Sequence, residues 1–443
     1  NGGKYSFHVE NAAEDIDLKD FVKPIFFSLK NYGKKFYEYK NYLLNISASL
    51  EKTKLDCLNL SLIIGEYAEK KKNIDLAIQI YRYTAMLSKE IEIQQRKRIL
   101  VKSVLKLSKL EFMRGISPEE TLRMQRETVR MITQSNLTSE DALLMLYAGM
   151  GEHFAGSLEE GEILRSKGIK YMKQFNYEGH ESEAVPLIGW QYYLEGDFRK
   201  TVAYYESFIL AIENRKDEDI ITFAYPPIIF SYFFMGEPEK ALALAEMIYR
   251  HAVRDKDNLA ANLLKAIIGR VYLYLEQDET AEKILNEAYQ EGERLEYGWG
   301  MYYALMGICY LEERRKNFEK CKEVLVKARQ IAIDDRFAPI VASPFVLEAL
   351  KGIQEENLPE ISRFTYGGEL KKYLTSKNVH LRGIAYRHLA ENKKRERVFT
   401  DEIIKDIKAS IYLLETSGNV HELGKSYLLL AKLYYQNGDM DES

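Results

Sequence analysis

A forty-residue period runs through the middle of this sequence and leaves it few ways to fold. A small or apolar residue at Gly149 returns at Gly189, Ile229, Gly269 and Gly307, at intervals of 40, 40, 40 and 38. Tyr192, Tyr232, Tyr272 and Tyr310 follow the last four of these by three places. Turn-forming groups come next, at Gly196-Asp197-Phe198, Gly236-Glu237-Pro238, Gln277-Asp278 and Asn317-Phe318, and then Ala241, Ala281 or Cys321. Weaker copies surround Gly65 with Ala77 and Tyr81, Ser108 with the Gly115 turn, Gly383 with Tyr386, and Ala431 with Tyr434 and Gly438-Asp439; the stretch around Phe345 matches by position alone. Each unit of such an array is too small to bury its own apolar side, so neighbouring units must stack and share one continuous core.

The unit is a pair of helices. Apolar residues recur at spacings of three and four, only nine prolines interrupt 443 residues, and no Val/Thr-rich alternating run suggests a strand. A glycine inside a helix costs about 1 kcal/mol relative to alanine. Four at one phase therefore point to a close helix contact, with the following tyrosine expected to fill the space beside the glycine.

Composition narrows the classes of function. With 46% hydrophobic and 29% charged residues the chain has the make-up of a folded globular protein. A net charge of −4 provides no general attraction to nucleic acid, despite a mild Lys/Arg excess in the first hundred or so residues. Cys57, Cys309 and Cys321 are odd in number and lack CxxC spacing, which reads as buried thiols in a reducing cytoplasm. The most apolar stretch, Tyr225–Met235, is shorter than the roughly 20 residues of a membrane-spanning helix, and no signal peptide opens the sequence. Asn1 at the start, and an end that falls in what reads as an inter-helix turn, suggest an excised fragment. GxxxxGK[ST], HExxH, GxSxG and strand-borne GxGxxG patterns are absent, and no nucleophile, base and orienting acid group by spacing. The expectation is a binding protein that is not an enzyme, with no cofactor or metal.

The paired anchor and aromatic on one helix, with alanine and an aromatic on the next, resemble the tetratricopeptide repeat from about Leu43 onward. The spacing near 40 is similar to the longer-helix variant in the sensor region of the bacterial maltose-regulon activator and related signal-transduction ATPases with numerous domains. Tyr5-Ser6-Phe7-His8 is similar to a short motif in the winged-helix segment before the repeats of many of those ATPases. The resemblance implies an all-α, right-handed superhelical solenoid of antiparallel helix pairs. Residues 44–443 would form about ten pairs, clearest over 137–335, behind a segment 1–43 left from an upstream winged-helix or ATPase domain. It also implies a sensor of a transcription or signal-transduction regulator, touching nucleic acid only through domains outside this sequence.

On a helix, positions one, four and five after the anchor share a stripe about 90° from the anchor stripe, and in tetratricopeptide repeats that stripe faces the concave groove. Here it reads Met150, His153, Phe154; Trp190, Tyr193, Leu194; Phe230, Phe233, Phe234; Arg270, Leu273, Tyr274; Ile308, Leu311, Glu312. Phe223 precedes Phe230 by about two turns. The candidate ligand-binding residues are His153, Phe154, Trp190, Tyr193, Phe223, Phe230, Phe233, Phe234, Arg270 and Tyr274. An apolar stripe of this extent reads either as a binding surface or as core inside a tight superhelix, with self-association a third use. Arg270 needs an anion, an acid such as Glu183 or Glu312, or an aromatic ring to lie on. The effector would be a small molecule or peptide; the competing use is a scaffold for a partner's helix or tail. A basic run, Lys377, His380, Arg382, Arg387, His388, Lys393, Lys394, Arg395 and Arg397, reads as a solvated helix face ahead of a nucleic-acid or acidic-partner contact. Tyr32, Phe36, Tyr37, Tyr39 and Tyr42 interleave with Lys30, Lys34, Lys35 and Lys40, as a docking helix or the first helix pair.

Overall fold

The computed structural model describes residues 51–71, 73–88, 93–113, 119–132, 137–213, 225–334, 345–395 and 400–437. The readings made above for Tyr5–His8, the 1–43 segment, the aromatic and lysine cluster at 30–42, Phe223 and Arg397 lie outside them. Nineteen α-helices account for the described chain, with no strand among the described residues. They are α1 (Glu51–Lys70), α2 (Ile74–Ser88), α3 (Ile93–Met113), α4 (Glu119–Ile132), α5 (Ser139–Phe154), α6 (Leu158–Gln174), α7 (Glu181–Leu194), α8 (Phe198–Glu213), α9 (Pro226–Phe234) and α10 (Pro238–Arg254). Then follow α11 (Asn258–Tyr274), α12 (Asp278–Arg294), α13 (Gly298–Arg314), α14 (Phe318–Asp334), α15 (Phe345–Glu355), α16 (Tyr366–Thr375), α17 (Val379–Arg395), α18 (Thr400–Ser417) and α19 (Val420–Asn437). None of the described helices is long and apolar enough to cross a membrane.

These helices gather into two compact units. The first takes the described residues up to Glu111 together with Glu119–Leu144; the second takes Phe112, Met113 and the described residues from Met145 on. In the first unit the Tyr81 ring of α2 lies where a Cβ on Gly65 of α1 would stand. Arg82 reaches the buried Glu111 carboxylate at 2.7 Å, and Lys97 reaches Asp141 at 3.2 Å.

The anchor rule is visible in both units. Gly65, Gly149, Gly189 and Gly269 each face a residue sixteen places on, in the following helix: Tyr81, Arg165, Tyr205 and Leu285. A Cβ at any of these glycines would overlap its partner. At the Ile229 anchor the equivalent partner is Ala245, fully buried, so the bulk has moved to the other helix. The residues that fill the glycine notches thus come from the second helix of each pair. The tyrosines three places after the anchor do a different job: Tyr232 gives its hydroxyl to Glu206 at 2.9 Å, and Tyr192 packs edge-on against Tyr204 at 5.6 Å.

Turns keep half the period. Gly156, Asn176, Gly196, Gly236, Lys256, Glu276, Glu296 and Lys316, all with positive φ, stand at multiples of twenty residues from one another. Each ends a helix in the left-handed conformation, and the next N–H bonds back five residues: Asp197 to Tyr192 O, Gln277 to Tyr272 O and Asn317 to Glu312 O, at 2.9–3.1 Å. One helix and one such turn make twenty residues, so a pair makes forty. The short apolar stretch at Tyr225–Met235 becomes α9, buried on every side, as expected of a helix without a polar face. Cys309 and Cys321 are buried free thiols, each near the other's carbonyl, and burial pushes the Cys309 thiol well up.

Candidate ligand-binding site

The inner stripe is a continuous wall of rings, and its members are in contact with one another. Phe112, Phe154, Trp299, Tyr303, Phe230, Tyr193 and Trp190 form a closed circuit in the second unit. Neighbouring centroids lie 5.4–6.5 Å apart, within the range of favourable aromatic pairs for all seven steps. A second run leaves Phe230 through Phe233 at 5.2 Å, continues to Tyr274 at 4.5 Å and Tyr310 at 5.6 Å, and ends on Phe345. Phe154, Trp190, Tyr193, Phe230, Phe233 and Phe234 are all buried, while His153 and Tyr274 are half-buried.

Arg270 sits inside this wall, 3% exposed. Its guanidinium lies 4.8 Å from the Phe230 centroid and 5.6 Å from that of Tyr303, so of the alternatives raised by the sequence the ring faces are occupied. Glu312 is held by Arg315 and Asn317. His153 is neutral: burial, helped by the neighbouring Arg165, lowers its pKa to about 3. Arg165 itself is buried between the Gln191 side chain and the Gly149 carbonyl.

The same unit's C-terminal helices close over the ends of this wall. Val379 N–H, at the start of α17, donates to Glu195 O at 2.9 Å, and Asn378 Nδ2 donates to Leu194 O at 2.9 Å. His380 lies against Phe198 at 5.0 Å and Phe234 at 5.2 Å. From α19, Val420 fills the notch at Gly236 and His421 meets Tyr274 at 5.3 Å. These contacts join segments roughly 145 to 185 residues apart in sequence through the tips of two helices. Gly196 and Gly236 serve them directly: with φ of 76° and 80° they shape the turns, and a Cβ on either would strike Asn378 or Val420.

Beside the tips lies a cavity of about 620 Å³, well within the roughly 300–1,000 Å³ range of small-ligand sites. Its walls come from the ends of α11 and α13, the start of α14, and α15, α17 and α19. Tyr274, Tyr310 and Phe318 provide rings; Arg314, Lys316, Lys351, Arg387, Arg395 and Lys425 provide cations; Glu276, Glu313, Glu348, Glu355 and Glu391 provide acids. At the base Arg387 donates to Glu348 at 2.7 Å, Glu422 at 2.6 Å and Glu391 at 3.1 Å. Lys425 adds a 2.7 Å bridge to Glu422. Burial pushes the Glu348 and Glu422 carboxyls up, but the Lys425 and Arg387 cations outweigh it, and for Glu348 His388 adds to them; both remain below the ordinary range.

This network corrects the reading of the basic run as a solvated face for three of its members, while Lys377 and Arg395 remain exposed. His380, Arg387 and His388 are buried. Lys393 bonds Asp406 at 2.7 Å, Lys377 bonds Glu162 at 2.5 Å, and Arg395 pairs with Glu355. Apart from Glu391 on α17 itself, the acids come from other helices, which is why spacing along one helix did not reveal them. Of the ten candidate residues, the structure brings eight into the ring wall or its edge: Phe154, Trp190, Tyr193, Phe230, Phe233, Phe234, Arg270 and Tyr274. His153 touches the edge of Phe154. Of the described candidates, Tyr274 alone lines the cavity. Phe112, Trp299, Tyr303, His380 and His421 belong to the wall and were missed; Tyr303, four residues before Gly307, was within reach of the helical spacing.

No family model matches the chain, and no curated protein matches it. Among solved structures, a Rap protein complexed with competence and sporulation factor aligns over 87% of this chain and 99% of its own, at 12% identity and a TM-score of 0.52. A signal transduction ATPase with numerous domains and a tetratricopeptide repeat sensor, from Pyrococcus horikoshii, aligns over 87% of this chain and 54% of its own, at 14% identity and a TM-score of 0.44. The human IFIT1 dimer with PPP-AAAA aligns over 94% and 84%, at 12% identity and a TM-score of 0.30. With the helix pairs and their forty-residue register, the first of these likenesses makes the fold a tetratricopeptide-like helical-repeat solenoid.

Proposed function

We propose that this chain is a non-catalytic regulatory module that holds a small-molecule or peptide effector on the inner face of its central repeats. It would work in the cytoplasm, within a bacterial signal-transduction or transcription regulator. The ring wall built from Phe154, Trp190, Tyr193, Phe230, Phe233, Phe234 and Arg270, with His153 and Tyr274 at its margins, is the proposed binding surface, which an effector reaches by parting the buried rings; Phe223, outside the described residues, is the remaining candidate. The observation that carries this reading is the closure of the wall by the tips of α17 and α19. A contact made by a few residues from distant repeats is the kind that an effector can exchange for its own contacts. The fold shared with a Rap protein that was solved with competence and sporulation factor supports it.

An effector relays a signal only by preferring one arrangement of the tips over the other. The test is thermal stabilisation by a broad panel of metabolites and short peptides. A true effector raises the melting temperature, and the rise disappears in Arg270→Gln and Trp190→Phe. If no member of the panel shifts the melting transition of the unaltered protein, the reading is wrong.

One observation favours a second reading, a scaffold for a partner protein. Tyr412 of α18 and Tyr427, Leu428 and Tyr435 of α19 are exposed apolar side chains on two adjacent helices. Co-purification separates the two, since a scaffold retains a polypeptide that Tyr427→Ser with Tyr435→Ser releases, whereas a peptide held by a sensor stays bound in that variant.

A further inference from the structure

We propose that the charged cavity between the C-terminal repeats is a binding site of its own, and that it takes a short peptide with a free ammonium and a free carboxylate. The inference rests on the reading of the chain as an effector-binding module, and it concerns a different surface from the central ring wall.

The cavity wall carries both signs in near balance, six cations against five carboxylates, with Glu422 behind Arg387 and Lys425. Such a wall offers no net field to an anion or to a cation, but it can trade partners with a ligand that carries both charges. Its ion pairs fall into two tiers. The deep tier, Arg387 with Glu348 and Glu422, is shielded, and each partner is held in its charged form by the others. Breaking it would strand a buried charge, at a cost of several kcal/mol.

The outer tier is different. Lys316, its side chain 67% exposed, reaches the buried Glu313 at 2.7 Å, and Arg395 pairs with Glu355 at 58% and 46% exposed. An exposed pair such as Arg395–Glu355 contributes little to stability, so exchanging it for a ligand charge is nearly free, and the exposed Lys316 head can take a ligand carboxylate from the solvent side while keeping Glu313. They stand on different helices, the first pair at the end of α13 and its turn, the second between α15 and α17. The rings of Tyr310 and Phe318 line the same cavity, a surface for an apolar or aromatic side chain.

Size and shape separate a peptide from a single amino acid. The cavity of about 620 Å³ shares Lys351, Glu355 and Arg395 with a second one of about 460 Å³. A ligand whose ammonium displaces Arg395 from Glu355 therefore gains room on both sides of that pair, which suits a chain of a few residues. Its ammonium replaces Arg395 on Glu355, and its carboxylate joins Glu313 on Lys316.

The test is titration calorimetry with the full chain and alanine-rich tetrapeptides containing one tyrosine. One peptide is free at both ends, one is acetylated, one is amidated, and free alanine and tyrosine form a further arm. The free-ended peptide should bind, and blocking either end should weaken binding about tenfold or more, which is about 1.4 kcal/mol. Glu355→Gln should erase the penalty of acetylation, and Lys316→Gln that of amidation. Both side chains are at the rim, so the variants should melt as the unaltered protein does. Equal binding of free and blocked peptides overturns the proposal, as does binding confined to the single amino acids, or no binding by any probe. An effector that stabilises the protein equally in both variants and needs Arg270 would leave the central-wall reading standing while this one falls.

Discussion

At the scale of single residues, close packing decides what the period is for. Gly189 faces the Tyr205 ring, and that ring is pinned by a hydrogen bond from its hydroxyl to Pro186 O at 3.1 Å. The ring cannot swing aside, so Gly189→Ala should destabilise the protein by about 1–3 kcal/mol through overpacking. Gly179 has a φ of 84° and nothing within reach of an added Cβ, so Gly179→Ala should cost about 1–2 kcal/mol from backbone strain alone. Urea denaturation of both variants measures the two effects. Protonation is a second single-residue matter. His380, against Phe198 and Phe234 and 3.3 Å from the Asn419 amide, has its pKa lowered from 6.5 to about 4 by burial, against the pull of Glu422 and Glu348. The unfolded chain binds a proton near pH 6.5 that the folded chain refuses until about pH 4. Stability should be intact above pH 6.5 and fall as pH drops through that window, by on the order of 3 kcal/mol from this group. His380→Phe should remove that share of the pH dependence, read from denaturation at pH 7 and pH 4.5.

At the scale of helices and turns, the left-handed residue that ends each helix sets the twenty-residue beat. Glycine fills that position at Gly156, Gly196 and Gly236, but Lys256, Glu276, Glu296 and Lys316 occupy it with φ of 51–59°. A side chain in this conformation costs roughly 1–2 kcal/mol, of which the greater freedom of glycine in the unfolded chain takes back part. Glu296→Gly, at an exposed turn, should therefore raise stability by about 0.5–1 kcal/mol. A melting temperature no higher than that of the unaltered protein would show that the Glu296 side chain makes up the difference locally.

At the scale of the second unit, contacts between distant repeats matter as much as stacking between neighbours. Val379 is the first residue of α17, a position where proline fits a helix without disturbing it. Val379→Pro removes the N–H that meets Glu195 O and exchanges a part-buried isopropyl group for the proline ring. It should cost about 1–3 kcal/mol for the carbonyl left without its donor. Amide exchange should then quicken at the first turns of α17 and α19 and leave α11 to α13 unchanged. Uniform exchange across the unit would mean that the tips are no separate contact but part of one cooperative core.

Periodicity in the sequence was enough to establish helices, their pairing and the anchor positions, because those depend on residues within one repeat: Gly149, Gly189, Gly269 and their partners sixteen places on share a single local geometry. It also identified which residues face inward, since Trp190, Phe230 and Arg270 lie at one helical phase. What those residues touch was decided only by the tertiary structure. Trp299 meets Phe154, His380 meets Phe198 and Phe234, and Arg387 meets Glu348 and Glu422, each across intervals of more than thirty residues. A helical phase says which way a side chain points from its own axis; whether it then finds solvent, a ring or a counter-charge depends on how many small rotations between repeats accumulate before the chain meets itself.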